Sequence, residues 1–227
     1  MKTIKVPFTL LRLAYRLIDV ESTGCTAAPD GRIIEYSFVI GRLAALENRG
    51  RVLDVGCASR LNYLPAAVCS LGWEVWGIDA RQWAFRFPGF HFVRGDVRTT
   101  SFPEDFFDAI YNVSAIEHIG VAGRYGVREE DPEGDLKTVR EIRRILKRNG
   151  VFLTTMPYGK DARVERPMGR IYGRQSLQRL ISGWKIEQKT IFVQDAHGFW
   201  VPTTDETIAH LEDDKEALAV LELRNCK

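Results

Sequence analysis

Short apolar runs alternate along this chain with longer segments whose apolar residues recur at helical spacing. Nearly continuous apolar runs favour buried strands, and apolar positions three and four residues apart favour one face of a helix. The pattern predicts strands at 51–55, 74–78, 90–93, 107–113, 151–156, 185–192 and 217–223. It predicts helices at 33–46, 63–71, 135–147 and 175–181.

The order of these elements predicts an α/β fold. Strands separated by helices form parallel sheets with right-handed crossovers, so we expect a doubly wound, mostly parallel seven-stranded sheet with helices on both faces. The nearly all-apolar run 107–113 fits a strand that is covered on both sides. Neither a repeat nor a linker divides the chain, which predicts a single domain over 1–227. Its parts are an N-terminal helical segment (1–50), a core (51–159) and a C-terminal part (160–227).

The composition narrows the class of protein. Of the 227 residues, 45% are hydrophobic and 27% charged, with 32 basic and 30 acidic side chains. These values argue against a disordered, collagen-like or disulfide-rich chain, and a net charge of +2 does not mark a nucleic-acid binder. The four cysteines are scattered without a CxxC pair, so we expect reduced thiols, a cytoplasmic location and no metal site.

The N-terminus holds an uncharged run at 6–11, which is too short for a membrane span or for the core of a signal peptide. Leu10, Leu13 and Leu17 share one face of a predicted amphipathic helix. Arg12 and Arg16 lie on its other face. Such a helix could lie on a membrane surface, but packing onto the domain is the favoured use.

Polar residues follow the ends of four successive predicted strands. A carboxylate at Asp79 can accept both hydroxyls of a ribose, and Asp96 can accept the exocyclic amine of adenine. Any one acid in such a place could be a turn residue or a helix cap, but four polar strand ends in succession favour a ligand site, because ligands of this fold bind there. The strand-end residues are Asp54 with Gly56, Asp79, Asp96, and Asn112 with Ser114.

Five segments carry a resemblance to a known family: VLDVGCAS, VWGIDA, FVRGDV, FDAIYNVSAIEHIG and LKTVREIRRILKRNGVFLTTMPYG. Over residues 51–159 the chain resembles class I S-adenosylmethionine-dependent methyltransferases of the small type called methyltransferase type 11. The stretch IEHIG…GRYG…DPEGDL resembles a subgroup with members associated with glycan or surface-polymer pathways. The resemblance implies a Rossmann-like fold, S-adenosylmethionine as cofactor, and methyl transfer to oxygen of a small-molecule or saccharide acceptor.

The resemblance also implies roles for single residues. Asp54 and Gly56 would hold the methionine moiety of the donor, and Asp79 its ribose. Asp96, with the amide of Val97, would recognise the adenine. The rest of the implied cofactor site is Cys57, Ala58, Ala80, Asn112 and Ser114. The last two are expected beside the amino and sulfonium groups.

Two alternatives concern the cofactor. The loop at 56–60 reads GCASR where the family usually has G-x-G-x-G, and this departure supports a methyltransferase-like module that binds without catalysis. A nicotinamide dinucleotide would need a G-x-G-x-x-G string to seat its pyrophosphate, and no such string follows the first strand. Asp54 would also repel a diphosphate, whereas the methyl donor has no phosphate and carries a cationic amino group.

A hydroxyl acceptor needs a base to take its proton. His118 is the candidate, because an unperturbed imidazole titrates near neutral pH and many relatives carry a histidine that faces the active site. Glu117 could orient His118 or bind acceptor hydroxyls, and the alternative is that His118 is structural. The glycine-rich segment 120–128 is expected to be a loop over the site, either a lid or a plain surface loop.

A run of cations follows the fifth predicted strand: Lys160, Arg163, Arg166, Arg170 and Arg174. Because strand ends border the cleft of this fold, and arginine binds carboxylates and phosphates through paired hydrogen bonds, we expect an anionic acceptor. The basic helix 135–147 leaves an RNA acceptor as the alternative, although its face is usually remote from the strand ends. The acids between 129 and 135 are expected to be solvated rather than to bind a metal.

Overall fold

The computed structural model describes residues 31–58, 63–123, 125, 127–211 and 217–227. The strands are β1 (Arg51–Val55), β2 (Glu74–Asp79), β3 (Phe90–Arg94), β4 (Phe107–Val113), β5 (Leu146–Tyr158), β6 (Arg163–Glu165), β7 (Gly169–Ile171), β8 (Lys185–Gln194), β9 (Trp200–Thr203) and β10 (Ala217–Arg224). The helices are α1 (Arg32–Ala45), α2 (Leu64–Ser70), α3 (Gly134–Ile145), α4 (Arg174–Leu180) and α5 (Asp205–Ala209), with a 3₁₀ turn at Ile116–His118. The predicted helix with Leu10, Leu13 and Leu17 lies outside the described residues.

Eight strands of the described residues form one sheet in the order β3-β2-β1-β4-β5-β10-β8-β9. Neighbours from β3 to β5 pair in parallel, while β10 lies antiparallel between β5 and β8. The predicted α/β sheet is confirmed, but the expected count of seven strands is wrong because β9 adds an eighth. β9 is short and contains Pro202, and a proline that cannot donate to the ladder fits an edge strand such as this one.

The predicted boundary between α3 and β5 also needs correction. The helix ends at Ile145 rather than at 147, and β5 begins at Leu146 rather than at 151. Asn149, predicted as part of a turn, has a φ of 62° and lies within the strand. Its amide donates to the carbonyl of Asn225 at 2.8 Å, so a contact with the distant C-terminal segment extends the strand through the local turn signal.

Helices cover both faces of the sheet, as predicted. Successive residues of a strand point to opposite faces, so Val52 and Leu53 of β1 belong to different apolar clusters. Val52 packs with α1 and α2, including Val39 and Leu64. Leu53 packs in the cluster that contains α3 and α4. The two layers cover the sheet and leave the carboxyl ends of its parallel strands as the edge where polar side chains collect.

Candidate active site

A cavity of about 240 Å³ opens at the carboxyl ends of β1, β2, β3 and β4. Its wall contains eight of the predicted site residues: Asp54, Gly56, Asp79, Ala80, Asp96, Val97, Ser114 and His118. Cys57, Ala58, Asn112 and Glu117 do not line it and are all buried. The structure therefore gathers the three strand-end acids around one space.

Asp79 at the end of β2 is only 8% exposed, and its carboxylate is densely bonded. Oδ2 accepts from the amide of Ala58 at 3.0 Å and from Arg81 Nη2 at 2.9 Å. Oδ1 accepts from the backbone amide of Arg81 at 2.9 Å and from its Nε at 3.0 Å. A carboxylate offers about four lone-pair sites, so the hydroxyls of a ribose could bind Asp79 only after the Arg81 side chain moves.

Arg81 connects this acid to the glycine-rich segment 120–128. Its guanidinium carbon lies 4.4 Å from the ring centroid of Tyr125, in a cation–π contact. Hydrogen bonds to Asp79 raise the pKa of Arg81, so its charge is firmly retained. Gly120, Tyr125 and Val127 line the cavity, and the segment therefore borders the site.

Asp96, which follows β3, is also paired with an arginine two residues on. Arg98 donates Nε at 3.0 Å and Nη2 at 2.6 Å to Asp96, and Nη1 at 2.7 Å to Asp131. Burial alone would raise the pKa of Asp96, but the hydrogen bonds from Arg98 outweigh it and hold the pKa below the ordinary value. Asp96 is therefore a charged acceptor at the edge of the cavity.

Asp54 in β1 is 2% exposed and borders the cavity. Burial raises the pKa of the neighbouring Tyr36 to about 12, with the charge of Arg32 opposing this and that of Asp54 adding to it. Gly56, just beyond the strand, has a φ of 79°, and a side chain there would collide with Ala115. Cys57 is fully buried, and burial raises the pKa of its thiol, so it is a packing residue with little thiolate character.

Sequence reasoning missed a buried acid on α1. Glu35 is 3% exposed, and its Oε1 accepts from Thr155 Oγ1 at 2.5 Å and from the hydroxyl of Ser114. Its Oε2 accepts from Arg32 Nη1 at 2.9 Å, and Arg32 also donates to the carbonyl of Val113. Through these bonds α1 is fixed to the ends of β4 and β5.

This network brings Arg32 and Tyr36 into the cavity wall. The side chain of Arg32 is 44% exposed. The local sequence RIIEY does not indicate a binding site, because an arginine and a glutamate three residues apart are common on solvated helix surfaces. Only the fold shows that this face of α1 lies against the strand ends.

His118 lies at the end of the 3₁₀ turn, with its side chain 18% exposed. Its Nε2 is 3.5 Å from Oε1 of the buried Glu117, and its ring meets that of Tyr125 edge-to-face at 5.2 Å. Asn112 holds the turn, because its Oδ1 accepts from the amide of Ile116 and its Nδ2 donates to Thr154 Oγ1, both at 3.0 Å. Both ends of the Asn112 amide are therefore used in holding the turn against β5, whereas Ser114 lines the cavity.

The arginines after β5 do not line the cavity. Arg163 pairs with Glu165 at 2.7 Å, Arg166 with Glu130 at 2.6 Å, and Arg174 lies 3.6 Å from both Asp205 and Glu206. Arg170 is buried and donates to backbone carbonyls. Arg170 is therefore part of the core rather than a ligand surface. The expectation that the other three bind an anionic acceptor stays a prediction, since each is paired with acids outside the cavity wall.

Among the described residues, no three His, Cys, Asp or Glu side chains are grouped so that they could hold a metal ion. In the same part of the chain, none of the helices has the length and apolar character needed to cross a membrane.

Comparisons with known proteins give a partial family match and a clear fold match. Residues 97–198, less than half of the chain, match a family described as "Caenorhabditis protein of unknown function, DUF268". A protein of Encephalitozoon cuniculi, named "Putative methyltransferase ECU09_1500", is 27% identical over 178 residues, which cover 75% of this chain and 77% of that protein.

Solved structures resemble the whole chain at low identity. The [4+2]-cyclase SpnF has a TM-score of 0.59 at 18% identity, over 96% of this chain and 94% of its own. The Burkholderia thailandensis 1,6-didemethyltoxoflavin-N1-methyltransferase, solved with bound 1,6-didemethyltoxoflavin and S-adenosylhomocysteine, has a TM-score of 0.57 at 15% identity, over 100% of this chain and 93% of its own. One neighbour is a cyclase and the other an N-methyltransferase, so the similarity identifies a fold rather than a reaction. With the sheet order, it shows that this chain has the fold of class I S-adenosylmethionine-dependent methyltransferases.

Proposed function

We propose that this protein is an S-adenosylmethionine-dependent methyltransferase that methylates an oxygen of a small-molecule or saccharide acceptor. The observation that carries the proposal is the convergence of Asp54, Asp79 and Asp96 on one cavity at the carboxyl ends of β1, β2 and β3. Each acid suits a different part of this donor: a cationic amino group, a ribose diol and an adenine amine.

The residues around the cavity fit the whole donor. In this proposal Asp54 and the backbone at Gly56 hold the amino end of the methionine moiety, and Arg32 on α1 pairs with its carboxylate. Arg32 is suited to this because its guanidinium is already held by Glu35 at 2.9 Å and reaches the cavity. A guanidinium binds a carboxylate through paired hydrogen bonds. A dinucleotide would instead bring phosphates toward Asp54.

The adenosine part would lie across β2 and β3. Asp79 is proposed to hold the ribose once Arg81 has moved, and Asp96 with the amide of Val97 to recognise the adenine. Arg98 donates to Asp96 through Nε, Nη2 and its backbone amide. Since a carboxylate offers about four lone-pair sites, one remains for a hydrogen of the adenine amine. Ala80 and Val97 supply small apolar surface in the cavity wall.

The donor supplies a methyl group on a positively charged sulfur, which needs mainly an aligned nucleophile to accept it. His118 is proposed to remove the proton from the acceptor hydroxyl, with Glu117 3.5 Å away as the group that orients the imidazole. His118 lines the cavity, and the ring of Tyr125 beside it helps to enclose the reacting groups.

A small acceptor fits these features better than RNA. Of the arginines that the structure describes, the three that line the cavity, Arg32, Arg81 and Arg98, are each bonded to an acid. The arginines Arg163, Arg166 and Arg174 after β5 do not line the cavity and are paired as well. RNA binding depends on a continuous basic surface that neutralises phosphates, and these pairs diminish such a surface.

A methyl-transfer screen with isotope-labelled donor tests the proposal. Wild type and the His118→Gln variant would be incubated with glycans, small carboxylates and tRNA, and the label would be followed into each acceptor. We expect transfer to a saccharide or another small hydroxyl compound, with much less label for the variant. Labelling of tRNA alone would replace the proposal by RNA methylation, and donor binding with no transfer to any class would favour the non-catalytic module.

A further inference from the structure

The hairpin β6–β7 lies beside the candidate base. Its strands pair antiparallel from Arg163 with Ile171 to Glu165 with Gly169. A bridge between Tyr158 and Tyr172 ties the base of the hairpin to the end of β5. Within the described chain, the hairpin forms a small sheet of its own and does not extend the main one.

Arg170 in this hairpin reaches four backbone carbonyls on two segments. Nη1 donates to Ile119 at 2.6 Å and to Glu117 at 3.3 Å, on either side of His118. Nη2 donates to Asp131 at 3.0 Å and to Pro132 at 3.4 Å. Since these segments flank 120–130, the guanidinium holds together the two ends of the segment that carries Tyr125.

The environment of Arg170 fits a structural fork better than a ligand-binding group. The residue is 8% exposed and does not line the cavity. Its Nε lies 3.7 Å from Oδ2 of the buried Asp135, which also accepts from the hydroxyl of Tyr172 at 3.0 Å. The charge of Arg170 is thus balanced inside the protein.

Other residues of the hairpin touch the same region. A Cβ added to Gly169 would lie 2.8 Å from His118 Nδ1, so the hairpin backbone packs directly on the imidazole. Pro167 borders Gly123, and Arg166 pairs with Glu130 at 2.6 Å. Contacts from Arg166 to Arg170 therefore face the turn and loop that carry His118 and Tyr125.

We propose that Arg170 is a positioning residue, which fixes the imidazole of His118 against the ring of Tyr125 by holding the carbonyls on both sides of the turn. An effect of this positioning on catalysis rests on the proposed function, whereas the positioning itself does not. An arginine is needed because its planar guanidinium donates to acceptors in two directions at once. A lysine ammonium is a compact point charge and cannot reach both segments.

The test is the NMR signal of the His118 ring hydrogens, assigned by their absence in His118→Gln. The Tyr125 ring at 5.2 Å should shift these signals, and Tyr125→Leu gives the size of that shift. Arg170→Lys would be compared with Arg174→Lys, a matched control whose side chain is 69% exposed and pairs with acids outside the cavity. Thermal unfolding of each variant would confirm that it is folded.

We expect folded Arg170→Lys to lose most of the Tyr125-dependent shift, and Arg174→Lys to keep it. If turnover is measurable, Arg170→Lys should lose about tenfold to a hundredfold in kcat with little change in donor Kd. A full shift in folded Arg170→Lys would overturn the proposal. If that variant does not fold, Arg170→Gln, which keeps a planar donor group in the same place, is measured instead, and a full Tyr125-dependent shift there would overturn the proposal. Failure of the wild type to bind S-adenosylmethionine would reject the proposed function alone.

Discussion

Replacing Arg81 with methionine should tighten the binding of S-adenosylmethionine, although it removes a cation from the cavity. The Arg81 side chain occupies two of the positions around Asp79 that the ribose hydroxyls need. The donor must therefore displace it, and the free energy of that displacement subtracts from the free energy of binding. Methionine keeps the length and apolar character of the side chain but cannot bond to the carboxylate.

The size of the effect follows from the two contacts that are lost. The Arg81 side chain is 37% exposed, so solvent screens its pair with Asp79 and reduces it to about 1 kcal/mol. The cation–π contact with Tyr125 adds about 0.5–1 kcal/mol. Their sum of about 1.5–2 kcal/mol corresponds to a Kd about 10- to 30-fold lower in the variant.

Isothermal titration calorimetry would measure this, with Arg86→Met as the matched control because Arg86 is exposed on the same segment outside the cavity. A second control uses 5′-methylthioadenosine and its 2′,3′-dideoxy form. The dideoxy compound has no diol to place on Asp79, so the gain should appear with the first ligand only. Unchanged or weaker binding by Arg81→Met would refute the reasoning and indicate that Arg81 stays beside the ribose and contacts the donor.

Three further changes have expected outcomes. Asp79→Asn should weaken donor binding by about 1.5–3 kcal/mol in calorimetry, because the hydroxyls lose a charged acceptor; an unchanged Kd would reject the ribose assignment. His118→Gln should lower turnover by about a hundredfold with donor affinity retained; equal turnover would make His118 structural. Asp205→Asn should reduce the free energy of unfolding at neutral pH, since bonds from Lys189 and Tyr158 outweigh burial and lower the pKa of Asp205. In urea titrations the variant should have a lower free energy of unfolding than the wild type, and this difference should shrink as the pH falls below 3.8, the ordinary pKa of an aspartate. A difference that does not change with pH would contradict this.

Most of the sheet could be predicted from the sequence because its strands are strongly apolar. The runs at β1, β2 and β4 are buried on both sides, so their hydrophobicity alone marks them. The pattern did not predict β6, β7 and β9, because each has only three or four residues, too few for a periodic signal. The boundary at Asn149 could not be predicted, since the contact that extends β5 comes from Asn225 at the other end of the chain.

The acids of the candidate site could be predicted in the same way, because each comes at the end of a predicted strand. Arg32 and Glu35 could not, since their place depends on how α1 packs across the ends of β4 and β5. The arginine run shows the opposite error. Its charge density suggested a ligand surface, but Arg170 is buried, and charge along a sequence carries no information about which partner each side chain finds.

The most direct test of the account is a calorimetric titration of the wild-type protein with S-adenosylmethionine, followed by a competition titration with NAD⁺. We predict binding at one site with a Kd between about 1 μM and 1 mM, the range usual for enzyme KM values, and no displacement by NAD⁺ at equal concentration. Absence of binding, or tighter binding of NAD⁺ than of S-adenosylmethionine, would contradict the assignment of the cavity to a methyl donor.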